Sequence, residues 1–413
     1  LNRRGTFGIA SAAYWWGRLA AAIHRSGLHI LGNLLHLWAL LFADDWNLTA
    51  EGRDFARALL TFLWWLVVLG VPLSWRKTKG GFVYTWIGPE VDLRGWSLGL
   101  SVSRAEWVDR WLTKTLDARA VEVGELREAL GRLGFAFGAL QYDRPFLAPL
   151  YTFVALHVPF PLRRLPVYVL VVLRWLRDRL RLRRSMPLLR RSFVRGSVLR
   201  VDAKAEGLSV AVGGWSPFRD DRGVIDLGKS PWFSVVLTEQ NAPWAFVKGA
   251  PSKNISTLEL LATTLGLVLL SPPDLANRGA AGSVAVTGLT DSQVASAVVS
   301  RGLTTAYPLC VVAMELSAQL ELRRAELFLE WVPRDQNKEA DRLADGCFDG
   351  FNPALRASAD LSQVRWLVMD ELLAAGQDFY EQLANRPGKE RTPRSFGGSR
   401  LRKRARLRDR DPW

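Results

Sequence analysis

Residues 196–350 alternate short apolar runs of strand length with longer apolar runs of helix length. No other feature of the chain constrains its fold as tightly. Strands are predicted at 198–202, 208–212, 232–237, 283–287 and 327–332, with Gly207 marking the first turn. Helices are predicted at 256–270, from residue 291 onward and at 337–345. In the first run alternate residues fall on opposite faces, as a half-buried strand requires. Three strands followed by helix, strand, helix, strand, helix is the order of a mixed sheet flanked by helices, an α/β arrangement.

Four acids punctuate that order. Asp202 ends the first strand, and Glu259 lies in the Ser-Thr-Leu-Glu-Leu opening of a helix. Asp291 follows a strand in Thr-Asp-Ser-Gln, and Asp341 lies in Glu-Ala-Asp-Arg-Leu-Ala. Each has an ordinary alternative. Ser256 and Glu259 have the spacing of a capping box. Asp291 could cap the helix it precedes. Asp202 could be a solvated turn residue, and Asp341 an exposed helical acid with Asp345 on the same face. Four acids in this order resemble the acidic cluster of RNase H-like nucleases, a fold that would bring them together over Mg²⁺ or Mn²⁺, hard cations that prefer oxygen ligands. Two such ions activate a water and stabilise a leaving oxygen.

The first half carries a different pattern. The apolar run 37–42 leads directly into Ala43-Asp44-Asp45, which predicts a hairpin with two acids at its tip. An ordinary Asp-Asp turn would look the same. Upstream lies Thr6-Phe7-Gly8-Ile9-Ala10-Ser11-Ala12. Downstream lie Val71-Pro72-Leu73-Ser74-Trp75-Arg76-Lys77-Thr78, then Trp86-Ile87-Gly88, then Gly131-Arg132-Leu133-Gly134-Phe135-Ala136.

In that order the segments resemble retroelement reverse transcriptases, and residues 196–350 resemble the RNase H domain that follows such a polymerase. The most specific stretch is Trp331-Val332-Pro333-Arg334-Asp335-Gln336-Asn337 leading into Ala340-Asp341-Arg342-Leu343-Ala344. The resemblance implies an α/β and α+β multidomain chain. Its parts would be a partial palm at 1–98, a helical thumb at 99–150, a basic connection at 151–195, an RNase H-like mixed sheet at 196–350, and a helix with a basic tail at 351–413. It implies metal ligands and catalytic acids at Asp202, Glu259, Asp291 and Asp341, and a second metal-binding pair at Asp44 and Asp45. Phe7, Gly8 and Lys77, with Lys79 as a competitor, would meet the incoming nucleotide. Trp86 and Gly88 would grip the primer.

The implied partners are an RNA–DNA hybrid and a primer–template, with no small-molecule cofactor. Such polymerases also place an aspartate well upstream of Thr6, and the chain begins at Leu1, so polymerisation is not expected of it. Many relatives carry a histidine shortly before the last aspartate. The four histidines here are His24, His29, His36 and His157, all elsewhere.

Charge agrees with a polyanionic partner. Lys and Arg number 55 against 40 for Asp and Glu, a net charge of +15, and neutralising phosphates releases counterions. Arginines at 163–195, Arg177 and Arg181 among them, read as a basic helix along a nucleic-acid backbone, or as a solvated linker. The tail at 400–408 reads as disordered, with a nuclear-targeting or nucleic-acid pattern. Cys310 and Cys347 are the only cysteines, which fits a reducing compartment and an intracellular chain. The start carries no signal-peptide pattern. Two other readings stand beside the enzyme: a non-catalytic nucleic-acid-binding relic, and a membrane-anchored protein using residues 58–75. In the latter, Gly70 and Pro72 would break the last turn of the apolar run.

Overall fold

The computed structural model describes residues 10–157, 162–187, 195–246, 250–271, 284–358 and 360–384. The Phe7 and Gly8 positions and the basic tail lie outside them. The chain divides into two compact units, 1–95 and 96–413.

In the first unit, α1 (Ala10–Gly27) leads through a π-helical turn and α2 (Asn33–Leu35) into an antiparallel hairpin. Its strands are β1 (Leu37–Phe42) and β2 (Asp45–Ala50), with Phe42 opposite Asp45. α3 (Phe55–Val68) packs Phe62 and Leu66 against Leu37 and Ala39 of β1. The alternate residues Trp38, Leu40 and Phe42 face solvent. Fourteen residues of α3 rise about 21 Å, short of the ~30 Å of a bilayer core, so residues 58–75 do not form a continuous span. The helix stops where expected: Gly70 takes a φ of 71° and donates its N–H to the Val67 carbonyl. A second hairpin joins β3 (Val83–Thr85) and β4 (Glu90–Asp92), and Trp86, Ile87 and Gly88 form its turn.

The second unit opens with β5 (Ser97–Gly99), α4 (Val102–Ala118), β6 (Ala120–Glu122), α5 (Val123–Ala136) and α6 (Ala148–Leu156). β7 (Leu162–Arg164), α7 (Val167–Leu182) and β8 (Ser185–Pro187) follow. β6 pairs with β7, and β5 with β8. Next come β9 (Arg195–Glu206), β10 (Ser209–Trp215), β11 (Trp232–Leu237), α8 (Pro243–Phe246) and α9 (Ile255–Leu270). The remainder is β12 (Val284–Thr290), α10 (Gln293–Arg301), α11 (Leu309–Leu322), β13 (Ala325–Trp331), α12 (Lys338–Ala344) and α13 (Met369–Ala384). The main sheet has the order β11-β10-β9-β12-β13. β9, β10 and β11 run antiparallel, and β12 runs parallel to both β9 and β13.

Helices cover both faces of this sheet. A Cβ at Gly213 would meet the α12 backbone at 2.6 Å, so β10 and α12 touch through a position without a side chain. The neighbouring Gly214 faces Val201 and Phe233, the side chains on which Gly266 of α9 packs. Successive strand residues point to opposite faces, so α9 and α12 lie on opposite sides. α9 is 67% buried over Pro251–Leu270, and among the described residues this is the one helical stretch long and apolar enough to cross a membrane. Its burial makes it a core helix. α11 is buried at every residue from Leu309 to Leu320.

The helices at 102–182 and the sheet share one hydrophobic core, running from Leu100 to Phe379. Tyr142 donates its hydroxyl to the Ala325 carbonyl at the start of β13, and Ser317 of α11 donates to the Tyr142 carbonyl. The arginine run of α7 is largely consumed in these contacts. Arg179 bridges Asp143 and Glu321, Arg183 also reaches Glu321, and Arg181 binds Asp109 and Thr113 of α4. Arg177 pairs with Asp178. The guanidinium groups of Arg177 and Arg181 thus rest on carboxylates of the chain itself. The fully buried Glu315 accepts backbone N–H groups of Leu367, Val368 and Met369, fixing the start of α13 as an acid at a helix N-terminus should.

Candidate metal centre

The four acids of the sequence pattern come from four elements. Asp202 lies on β9, opposite Gly213 of β10. Glu259 lies on the second turn of α9, Asp291 directly after β12, and Asp341 in α12. Carboxylate oxygens of Asp202, Glu259 and Asp291 lie within 4.8 Å of one another. Asp341 is not among the three that meet within that distance, but it lies near enough for its charge to help raise the Asp202 carboxyl. Asp345, one turn further on, is held by Lys204 at 2.7 Å instead.

The ordinary alternatives are not what these residues do. α9 starts at Ile255 with Asn254 as its cap residue, so Ser256 lies inside the helix and no capping box forms. Glu259 is instead 6% exposed, with Thr290 donating to it at 3.4 Å. The cap of α10 is Ser292, whose hydroxyl accepts the Ala295 N–H, which leaves the Asp291 side chain free of that task. Asp202 is 4% exposed rather than solvated.

Local bonds hold the acids in place. Asn337, buried at the entrance to α12, donates to the Val201 carbonyl at 2.9 Å and so ties the helix carrying Asp341 to the strand carrying Asp202. Trp331 donates its indole N–H to the Asp291 carbonyl at 3.0 Å. Thr290 accepts the Ser292 N–H while donating to Glu259. Of these, Trp331 and Asn337 belong to the stretch that stood out in the sequence. Thr290 was missed, although its place in Thr-Asp-Ser was visible.

The electrostatics are those of carboxylates crowded together in a buried site. Burial, then the charge of Asp291, pushes the Asp202 carboxyl well above the ordinary carboxylate range. Burial followed by the charges of Asp202 and Asp291 does the same to Glu259. Among the described residues, one oxygen of Asp291 is buried without a hydrogen-bond partner. Arg334 places one guanidinium nitrogen 2.6 Å from Asp341, on the exposed side of the cluster. An all-oxygen donor set, an orphaned buried oxygen and mutual repulsion together fit hard divalent cations.

The acids of the first unit are arranged otherwise. Asp44 lies in the turn between β1 and β2, and Asp45 is the first residue of β2. Both are exposed, as is Lys77 in the turn Trp75–Lys77. Among the described residues no third acid gathers with Asp44 and Asp45.

The second unit therefore holds a mixed five-stranded sheet with helices on both faces and a buried acidic cluster drawn from inside β9, the second turn of α9 and the residue after β12. No family model and no curated protein matches the chain. Among solved structures it is similar to the N-terminal RNase H domain of a Mycobacterium tuberculosis protein, solved as a fusion with maltose-binding protein. There the identity is 19% and the TM-score 0.25, over 37% of this chain and 92% of that one. It is also similar to RNase H1 from the halophilic archaeon Halobacterium salinarum, with 18% identity and a TM-score of 0.22, over 37% of this chain and 97% of that one.

Proposed function

We propose that the second unit is a metal-dependent nuclease of RNase H type, cutting the RNA strand of an RNA–DNA hybrid. The observation that carries this reading is the convergence of Asp202, Glu259 and Asp291 within 4.8 Å. Asp202, Glu259, Asp291 and Asp341 would hold Mg²⁺ or Mn²⁺. When bound, such ions activate a water and stabilise the leaving oxygen of a phosphodiester.

The chain's own contribution is pre-organisation. Asn337, Trp331 and Thr290 fix the backbone and side chains that carry the cluster. Burial keeps bulk water from screening the carboxylates, which strengthens their pull on a cation. Arg334 has one charge-assisted bond to Asp341 and lies on the exposed side, where a phosphate would approach.

The first unit supports a coarser proposal, a polymerase-derived segment whose hairpin acids Asp44 and Asp45 descend from a metal-binding pair. A second reading of the nuclease unit, binding of hybrid without turnover, draws on the Arg334 bond, since a guanidinium already occupies part of Asp341. One assay separates the two. The purified chain, given a labelled hybrid with Mg²⁺ or Mn²⁺, is expected to shorten the RNA strand and leave the DNA intact. Binding without cleavage in either metal would sink the enzyme and favour the relic.

A further inference from the structure

Of the four acids, Asp341 alone is in an ion pair among the described residues. Carboxylate oxygens of Asp202, Glu259 and Asp291 lie within 4.8 Å of one another, and Asp341 is outside that set. Its Oδ1 instead accepts a bond of 2.6 Å from one guanidinium nitrogen of Arg334. The two partners differ in freedom. The Arg334 side chain is 75% exposed and that of Asp341 30%. The backbone of Arg334 is fixed, because its carbonyl accepts the Asn337 N–H and Asn337 is itself tied to Val201. The side chain can therefore swing while its root keeps its place. The charges of Asp202 and Asp291 act on the guanidinium as well. An exposed ion pair of this kind is weak, because water screens both charges. It is also incomplete, since one nitrogen meets one oxygen. A phosphodiester offers two free oxygens to the same planar fork, and two parallel bonds are stronger than one.

We propose that Arg334 is an exchangeable counter-cation: with no substrate bound it occupies Asp341, and a backbone phosphate of the bound strand draws it off and frees Asp341 for a divalent cation. No covalent bond changes. A phosphate contact reads no base, so the bases stay paired and stacked in the duplex. Without the strand, a cation at Asp341 must displace a guanidinium; with the strand it need not. Nucleic acid and metal therefore favour each other's binding, and by linkage each raises the other's affinity by the same factor. The exchange rests on the nuclease reading in taking the four acids as one metal centre beside a bound strand.

The test is Mn²⁺ binding by the full chain, followed by calorimetry, alone and with a hybrid whose RNA strand is 2′-O-methylated and so resists hydrolysis. Uptake of Mn²⁺ by the hybrid itself is subtracted. Without hybrid, Arg334→Gln is expected to bind Mn²⁺ up to about fivefold more tightly than wild type, the resistance an exposed ion pair can offer. With hybrid, the two chains are expected to converge, because the phosphate has already withdrawn the guanidinium of the wild type. Lys338→Gln removes an equal charge from the exposed first residue of α12 and is expected to behave as wild type. Equal Mn²⁺ affinity of wild type and Arg334→Gln without hybrid would overturn the exchange. So would a gain that persists unchanged with hybrid, since Arg334 would then be a permanent competitor. A gain of the same size in Lys338→Gln would trace the effect to general charge and overturn it too. Weaker binding by Arg334→Gln would make Arg334 a support for Asp341, again against the exchange. Failure of the wild type to bind Mn²⁺, or to bind the hybrid, would overturn the exchange together with the nuclease reading. Cleavage of an unmodified hybrid is read separately. A wild-type chain that shows the coupling without cutting sinks the nuclease reading alone; one that cuts without the coupling sinks the exchange alone.

Discussion

Two sets of acids lie in this chain, and they differ in what the fold has invested in them. Asp44 and Asp45 sit at an exposed hairpin turn, where carboxylates keep their water and need no partner. Asp202 and Glu259 are almost wholly buried among like charges, and the Asp291 oxygen beside them has no partner. Exposed acids cost a fold little and therefore say little about function. Buried, mutually repelling acids destabilise the apo protein, and strain of this kind gathers at functional sites. The contrast makes the second set the stronger candidate for a metal centre.

The largest effect that could break this contrast is on cleavage. Asp202→Asn is expected to lower hybrid cleavage by roughly a thousandfold or more, because metal-derived transition-state stabilisation is worth several kcal/mol. Asp44→Asn is expected to leave the rate unchanged. Cutting by the Asp202 variant at the wild-type rate, measured by gel assay in Mg²⁺, would remove the assignment.

A smaller effect tests the packing of α12, which carries Asp341, on β10. Gly213→Val puts a branched side chain where even a Cβ would meet the α12 backbone at 2.6 Å. Overpacking of this kind costs about 1–3 kcal/mol. The denaturation midpoint should fall, and cleavage should fall with it. An unchanged midpoint would show that α12 moves freely and that Asp341 is not held by this contact.

The apo protein should also report the repulsion directly. The raised carboxyls of Asp202 and Glu259 bind more protons folded than unfolded, so between the ordinary carboxylate range and their raised values stability falls as pH rises. Below the unfolded values both states are protonated and the stabilising contribution is fully present. Glu259→Gln should therefore raise the melting temperature in EDTA at pH 8 by a few degrees and have little effect near pH 4. A variant that melts lower than wild type at pH 8 would contradict the repulsion. Adding Mg²⁺ should stabilise the wild type more than the variant, since only a ligand that binds the native state raises its stability.

Arg334→Gln should have the smallest effect on stability, within ~1 kcal/mol, as expected for an exposed ion pair. If the guanidinium competes with a cation for Asp341, less Mg²⁺ should suffice for half-maximal stabilisation. An increased Mg²⁺ requirement would mean that Arg334 instead holds Asp341 in its binding position.

Much of the second unit was legible before its structure. The order of strands and helices along the chain followed from their apolar runs, but Asp202, read as the end of a strand, lies inside one, because β9 pairs with β10 as far as Glu206. α11 was not legible, because its residues from Leu309 to Leu320 are buried all round. A helix with no solvent-facing side shows no amphipathic period to read. The arginines of α7 were legible as charge but not as partners. Asp109, Asp143 and Glu321, which receive them, lie far away in sequence.

By itself the sequence determined the local elements, the order of the four acids and the hairpin at Asp44 and Asp45, because these depend on neighbours within a few residues. Tertiary structure alone decided that Glu259 is buried rather than capping, that Ser292 rather than Asp291 caps α10, and that Lys204 holds Asp345 while Arg334 pairs with Asp341. It also decided that the helices at 102–182 share a core with the sheet. Each of these outcomes depends on which distant side chain arrives beside a given group. Burial and Coulomb interactions act through space, so spacing along the chain does not encode them.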